Sequence, residues 1–231
     1  MDDILARYGL LLEEVDEWFD HASGLTGPDV SCRKGCSACC RGLFDITLLD
    51  ACYLSRGFEK LDALTNKTVL ARAKGRFLSL QSLWPEFTEP YILNYRPEAD
   101  WDVLMPEEDE TPCVLLGDDG KCLVYDYRPM TCRLNGIPLV DHSGEVFFEE
   151  WCTLNFIGRA PLAIKELRGG FRRIFADELL LFQQFTGLLC KQQLNEFDTF
   201  IPTALLIDFA GFDWPTWLQR TSMVDNPPCC E

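Results

Sequence analysis

Cys32-Arg33-Lys34-Gly35-Cys36-Ser37-Ala38-Cys39-Cys40 sets four cysteines into one short, glycine-punctuated stretch, and Cys113, Cys122, Cys132 and Cys152 follow further along the chain. Such spacing is what a metal requires. Two cysteines separated by two residues in a tight turn direct both sulfurs at one ion about 2.3 Å away, with the rest of the coordination supplied by another segment. Cysteines that serve only as small apolar residues follow the periodicity of their elements, whereas these crowd into turns. The eight are therefore the candidate ligands for zinc or for an iron-based centre, an iron–sulfur cluster included. The adjacent pair Cys39 and Cys40 strains a single four-sulfur site, because neighbouring side chains diverge unless the backbone bends sharply. Either one of them stands behind the ligands or there are two metal positions.

Charge supports thiolates at this place. Arg33, Lys34, Arg41, Lys121 and Arg133 each lie beside or near one of these cysteines, and positive neighbours favour the ionised sulfur. Over the whole chain the balance is opposite: 37 Asp and Glu against 21 Lys and Arg give a formal net charge of −16. That surplus repels nucleic-acid backbones and anionic membrane surfaces, so no nucleic-acid or membrane partner is expected.

With 231 residues, 47% of them hydrophobic and 25% charged, the chain is long enough to bury a core without covalent staples. The acidic start Met1-Asp2-Asp3-Ile4-Leu5-Ala6-Arg7 lacks a signal peptide's basic opening and apolar run, and no 18-residue apolar stretch occurs. A cytoplasmic protein is expected, in which reduced thiols serve as metal ligands rather than disulfide partners.

Working outward from the cysteine stretch, Ile4, Tyr8, Leu11, Leu12, Val15, Trp18 and Phe19 recur at helical spacing from Asp2 to about Ala22, with Ser23 to Pro28 as the stop. Thr47 with Asp50 three residues on predicts a capped helix to about Arg56, and a third helix runs from about Asn66 to Trp84 before Pro85. The acidic segment Glu89 to Thr111 reads as an irregular solvated loop. Residues 113–125 around Gly117-Asp118-Asp119-Gly120 predict one β-hairpin, and residues 137–148 around Asp141-His142-Ser143-Gly144 a second. Phe171 to Leu189 carries the apolar face of a core helix, and a further helix is expected at 203–209. The whole reads as one α+β domain over 1–231, mainly helical with a small β-hairpin element. Its cysteine core lies at about 32–152 and its helical C-terminal part at about 158–220. Cys52 and Cys190 fall inside helical patterns and read as core, whereas Cys229 and Cys230 read either as a redox or delivery pair or as an exposed tail.

The cysteine stretch, with Thr47 and Asp50 behind it, Pro112-Cys113, Gly120-Lys121-Cys122-Leu123-Val124-Tyr125, Arg128-Pro129 and Cys132-Arg133, resembles the CxxCxxCC cysteine-cluster family (YkgJ-like). Its members are described as zinc- or iron-chelating proteins. The resemblance implies a metal centre built from the eight cysteines, with Arg128-Pro129 in a structural role, and it implies no settled reaction. Three residues separate Cys32 from Cys36 where the family's name implies two, which makes Cys32 the ligand that departs from the pattern. Some relatives look like longer flagellin lysine methyltransferases with an iron–sulfur centre, but nothing in this chain marks a methyl-donor pocket.

Other chemistries find less support. Cys32-x3-Cys36-x2-Cys39 also matches the radical S-adenosylmethionine spacing, yet the alternating βα units of that barrel are missing from the sequence pattern. His21 and His142 are the two histidines, placed at a helix end and in a turn, so a Cys-His nucleophile pair is poorly supported. A redox or methyl-transfer enzyme with an open coordination position is the alternative to a metal-binding protein, and the protein partner is left unknown.

Overall fold

In a computed structural model, which describes residues 1–106 and 108–225, helices predominate. Helix α1 (Asp2–Thr26) buries Ile4, Leu5, Tyr8, Leu11, Leu12 and Val15, the stripe expected from the sequence. It runs four residues past the expected stop. Thr26 Oγ1 bonds back to the Ala22 carbonyl at 2.9 Å, and the helix ends only at Gly27, whose φ of 55° and following Pro28 forbid another turn.

Strand β1 (Asp45–Thr47) leads directly into α2 (Leu48–Phe58). Thr47 is the N-cap: its hydroxyl accepts from Asp50 N at 3.0 Å, as the spacing predicts. Helix α3 (Ala63–Leu83) starts before Asn66, because Asp62 accepts the Leu64 and Thr65 amides at 3.0 and 3.1 Å. The acidic segment that follows is irregular apart from a short helical turn at Glu98–Val103. Part of its charge is neutralised by Arg76 on Asp109 and Arg41 on Glu110.

Residues 113–125 depart from the expected hairpin. Gly117 N bonds Lys121 O at 2.8 Å and Leu123 N bonds Leu115 O at 2.9 Å, but only a single bridge, Leu116 with Cys122, joins the two arms. Strand pairing stops there because the chain turns away at both ends, into a helical turn at Tyr125–Tyr127 and onto the cysteine loop through Cys113. Helix α4 (Met130–Leu134) follows, and Pro129 occupies its N-cap. The second hairpin is present: β2 (Leu139–Val140) pairs antiparallel with β3 (Val146–Phe148).

Short helical turns at Pro161–Ala163 and Lys165–Leu167 precede α5 (Phe171–Leu189), which buries Phe171, Ile174, Leu181, Phe182 and Phe185. The C-terminal part is not wholly helical. Strand β4 (Asp198–Phe200) pairs antiparallel with β1, Ile46 facing Thr199, and so joins segments about 150 residues apart in the sequence. The helix expected at 203–209 is instead α6 (Ile201–Ala204), and α7 (Trp214–Asp225) lies beyond it. Asp208 explains the break: its carboxylate accepts the Ala210 and Gly211 amides at 3.1 and 2.8 Å, giving the backbone a turn in place of a helix.

The described strands thus form two small antiparallel sheets set on a helical core. The parallel βα units of a radical S-adenosylmethionine barrel do not occur among the described residues. The main core joins α1, α2 and α5, and a second cluster of Leu80, Trp84, Phe87, Leu93, Trp101 and Phe200 packs at the C-terminal end of α3.

Candidate metal centre

The cysteine loop is two consecutive tight turns. Cys36 N bonds Arg33 O at 2.8 Å around Gly35, whose φ of 96° suits glycine, and Cys40 N bonds Ser37 O at 3.1 Å. The loop is then pinned to the segment before the 113–125 turn: Cys113 N donates to Cys40 O and Gly42 N to Thr111 O, both at 2.9 Å. Cys113 is thereby fixed beside Cys40. The tight turn returns Cys122 to the same side, and α4 presents Cys132 one residue past its second position.

Helix α4 is itself held from below by buried groups. Asp50 Oδ1 accepts both the Tyr8 hydroxyl at 2.7 Å and Met130 N at 2.9 Å. Arg133, 4% exposed, donates to Arg128 O at 2.9 Å and Asp126 O at 2.8 Å and pairs with Asp16 of α1. The sequence marked Asp50 only as a capping residue. In the fold it joins α1, α2 and α4.

Cys36, Cys39, Cys40, Cys113, Cys122 and Cys132 line one cavity of about 90 Å³, closed by Tyr125, Arg128, Pro129 and Asn135 among others. That is room for more than one water-sized body. Cys32 and Cys152 do not line it. They sit at a neighbouring corner, where Asn155 Nδ2 donates to Cys32 Sγ at 3.3 Å and to Gly136 O at 2.7 Å, and Cys152 N reaches Gly136 O at 3.3 Å. The charges of Cys36 and Cys39 still act on Cys32, so the corner and the cavity are electrostatic neighbours. Nothing in the sequence pointed to Asn155, which lies outside every quoted motif.

Burial governs the thiols. It holds Cys132 well above the ordinary thiol range, pushes Cys113 up to about 11, and raises Cys122 and Cys32. Cys39 is raised first by the hydrogen bond it shares with Cys40, and that same bond lowers Cys40. Cys40 is thus prepared to lose its proton, with its neighbour as donor.

The flanking cations have partners of their own. Lys34 lies 4.7 Å over the Tyr125 ring, Arg41 pairs with Glu110 at 2.8 Å, Lys121 with Asp119 at 3.0 Å, and Arg33 bonds Ser31 O. Arg128 takes their place. Stacked 3.6 Å from the Tyr125 ring centre and paired with Asp16 at 3.2 Å, it lines the cavity and favours the thiolates of Cys39 and Cys122. Its position in sequence, four residues before Cys132, was the available signal.

All ten described cysteines are free thiols. Cys52 and Cys190 are core residues, at 5% and 3% exposure, and Cys229 and Cys230 lie outside the described residues. Both histidines are exposed and away from the cavity. Among the described residues no three His, Cys, Asp or Glu side chains are closed into metal-binding geometry. The donor set nonetheless fits a thiophilic metal: six thiols converge on one cavity with a cation at its wall, and binding would expel their protons and draw the sulfurs together.

No curated protein and no solved structure matches the chain. The model of the CxxCxxCC family, described as "Putative zinc- or iron-chelating domain", matches residues 31–153. That span contains all eight candidate cysteines and more than half of the sequence, and the chain belongs to this family.

Proposed function

We propose that this is a metal-binding protein, folded as one domain over 1–231, that holds zinc, iron or an iron–sulfur cluster through Cys32, Cys36, Cys39, Cys40, Cys113, Cys122, Cys132 and Cys152. The convergence of six of these thiols on one cavity is the observation that carries it. Cys36, Cys39, Cys40, Cys113, Cys122 and Cys132 would hold the metal, with Cys32 and Cys152 completing or flanking it. Zinc would knit the cysteine loop, the 113–125 turn and α4 into one unit, whereas an iron–sulfur cluster would add electron transfer. The protein works in the cytoplasm, with the metal ion as its partner and no nucleic acid. The charge of −16 supports this, as does the absence, among the described residues, of any helix long and apolar enough to cross a membrane.

A redox or methyl-transfer enzyme is the second reading. Its support is a larger cleft next to the thiol cavity, which shares Phe44 and Asn135 with it.

Anaerobic purification followed by elemental analysis and a visible spectrum tests the proposal. Thiolate-bound zinc is colourless and an iron–sulfur centre absorbs broadly. Colourless, zinc-loaded protein would sink the iron–sulfur form, and metal-free protein that folds normally would sink the whole proposal.

A further inference from the structure

Adjoining the thiol cavity through Phe44 and Asn135 lies a cleft of about 460 Å³. Its size is that of a small-molecule site. Phe44, Met130, Leu134, Leu139, Phe148 and Phe175 supply apolar walls, while Asp45, Asp50, Glu178 and Asp198 supply carboxyl groups, and no Lys, Arg or His lines it.

Most of these acids are explained by the fold. Asp50 accepts from Tyr8, Met130 N and the Thr47 hydroxyl, and Asp198 accepts from Asn94 Nδ2 at 2.7 Å. Glu178 is different. The donor nearest to it is the Tyr8 hydroxyl at 3.5 Å, and the single proton of that hydroxyl is committed to Asp50 at 2.7 Å. A carboxyl on the wall of a largely apolar cleft, sharing its one donor with another carboxylate, is a group that a cationic partner would satisfy. Burial, with the Asp50 charge beside it, lifts its carboxyl to about 8, so the anion that would hold such a partner forms near or above that pH or when a bound cation draws the proton off.

The walls decide which cation. A hard divalent ion needs several converging oxygens and keeps bound water, and among the described residues no three carboxylates converge in that way. Aromatic and aliphatic walls suit carbon, and aromatic faces attract ammonium groups. We propose that this cleft binds an organic cation of the alkylammonium class, with its charge on Glu178 and its carbon stem against Phe148, Phe175 and Leu139. The proposal stands independently of the metal reading, because none of these residues is a cysteine or lines the thiol cavity.

Isothermal calorimetry on the full chain as purified, titrated with n-butylammonium chloride at pH 8.5, above the raised Glu178 carboxyl and below the amine, tests it. Saturable binding is expected, with a dissociation constant on the order of millimolar for so small a ligand. Glu178→Gln should weaken binding at least tenfold without lowering the melting temperature, since it removes a carboxyl whose ionisation burial opposes. Phe148→Ala should weaken it several-fold; should Glu178→Gln fail to fold, the wild-type titration repeated at pH 6 is the second measurement, where affinity should fall at least tenfold and unchanged affinity would overturn the proposal. Titrations with n-butanol and with MnCl2 complete the set. No saturable butylammonium binding, equal binding by butanol, or undiminished affinity in the charge-removing variant would overturn the proposal. Mn²⁺ binding without butylammonium binding would do so as well, by assigning the cleft to a divalent ion.

Discussion

Asn155 Nδ2 lies 3.3 Å from Cys32 Sγ and donates to it, while the same amide group holds the Gly136 carbonyl at 2.7 Å. The Asn155 side chain also accepts Ser31 N at 2.8 Å, so one buried residue sets the entry to the cysteine loop and orients its first sulfur. A hydrogen bond to a ligating sulfur stabilises the thiolate and fixes its direction. Asn155→Leu should strip three bonds from groups that are mostly buried and cost about 2–4 kcal/mol of stability. The metal content of the purified protein should fall with it. Urea denaturation and elemental analysis read the two effects separately, and unchanged metal content would place Cys32 outside the centre.

Gly136 makes the same point sterically. Its φ is 115°, and an added Cβ would stand 2.8 Å from Cys32 Sγ and 3.3 Å from Asn155 Nδ2. Gly136→Ala therefore combines backbone strain of about 1–3 kcal/mol with displacement of the sulfur. Its metal stoichiometry should fall below that of a Gly75→Ala control, where the structure offers open space.

Asp50 connects the hydrophobic core to the metal centre, since it accepts from Tyr8 of α1 and from Met130 N at the start of the helix bearing Cys132. Asp50→Ala leaves a buried hydroxyl and a buried amide without acceptors, a loss of about 3 kcal/mol. Asp50→Asn keeps an acceptor oxygen in place and should recover most of that loss. Thermal melts of the two variants check the ordering. Equal melts would show that the carboxylate contributes its charge rather than its acceptor geometry.

Asp198 should make stability fall as pH rises. Burial lifts its carboxyl from the ordinary aspartate range to about 6, with Asp45, Glu196 and Asp50 adding to the rise and the Asn94 amide opposing it. A group raised in the folded state contributes stability fully below its unfolded pKa, and that contribution is lost as pH rises through about 6. Asp198→Asn should therefore gain on the wild type between pH 4 and pH 7. The expected gain is about 1–2 kcal/mol, after allowance for solvent reaching this partly exposed site. Denaturation curves at pH 4, 5.5 and 7 give the difference, and a gap that stays constant with pH would refute the assignment. Asp50 and Glu178 are shifted in the same direction by burial, so the subtraction of variant from wild type is what isolates Asp198.

Local chemistry was legible in the sequence where a local cause decides the outcome. Helix α1 follows from its apolar stripe, α2 from the Thr47 cap and β2 with β3 from the turn at Asp141 to Gly144. The clustering of Cys36, Cys39, Cys40, Cys113, Cys122 and Cys132 was likewise readable from spacing, because tight turns and one chain reversal suffice to bring them to a common cavity. What escaped depends on contacts distant in sequence. The pairing of β1 with β4 joins Ile46 to Thr199, and no pattern within either short strand announces it. The expected 113–125 hairpin reduced to a turn because Cys113 bonds the cysteine loop rather than a partner strand. The sequence sets cations immediately beside the cysteines, yet Lys121 and Arg41 turn to acidic partners while Arg128 faces the cavity. Proximity in sequence is a poor guide to the direction of a long side chain on a turn.

The central claim is that the cysteines together hold a metal, and X-ray absorption at the metal edge of anaerobically purified protein tests it most directly. A first shell of sulfur alone at about 2.3 Å is predicted, losing scatterers in Cys40→Ser and in Cys132→Ser but not in the core variant Cys52→Ser. A first shell of nitrogen or oxygen, or a sulfur shell that survives both substitutions unchanged, would contradict it.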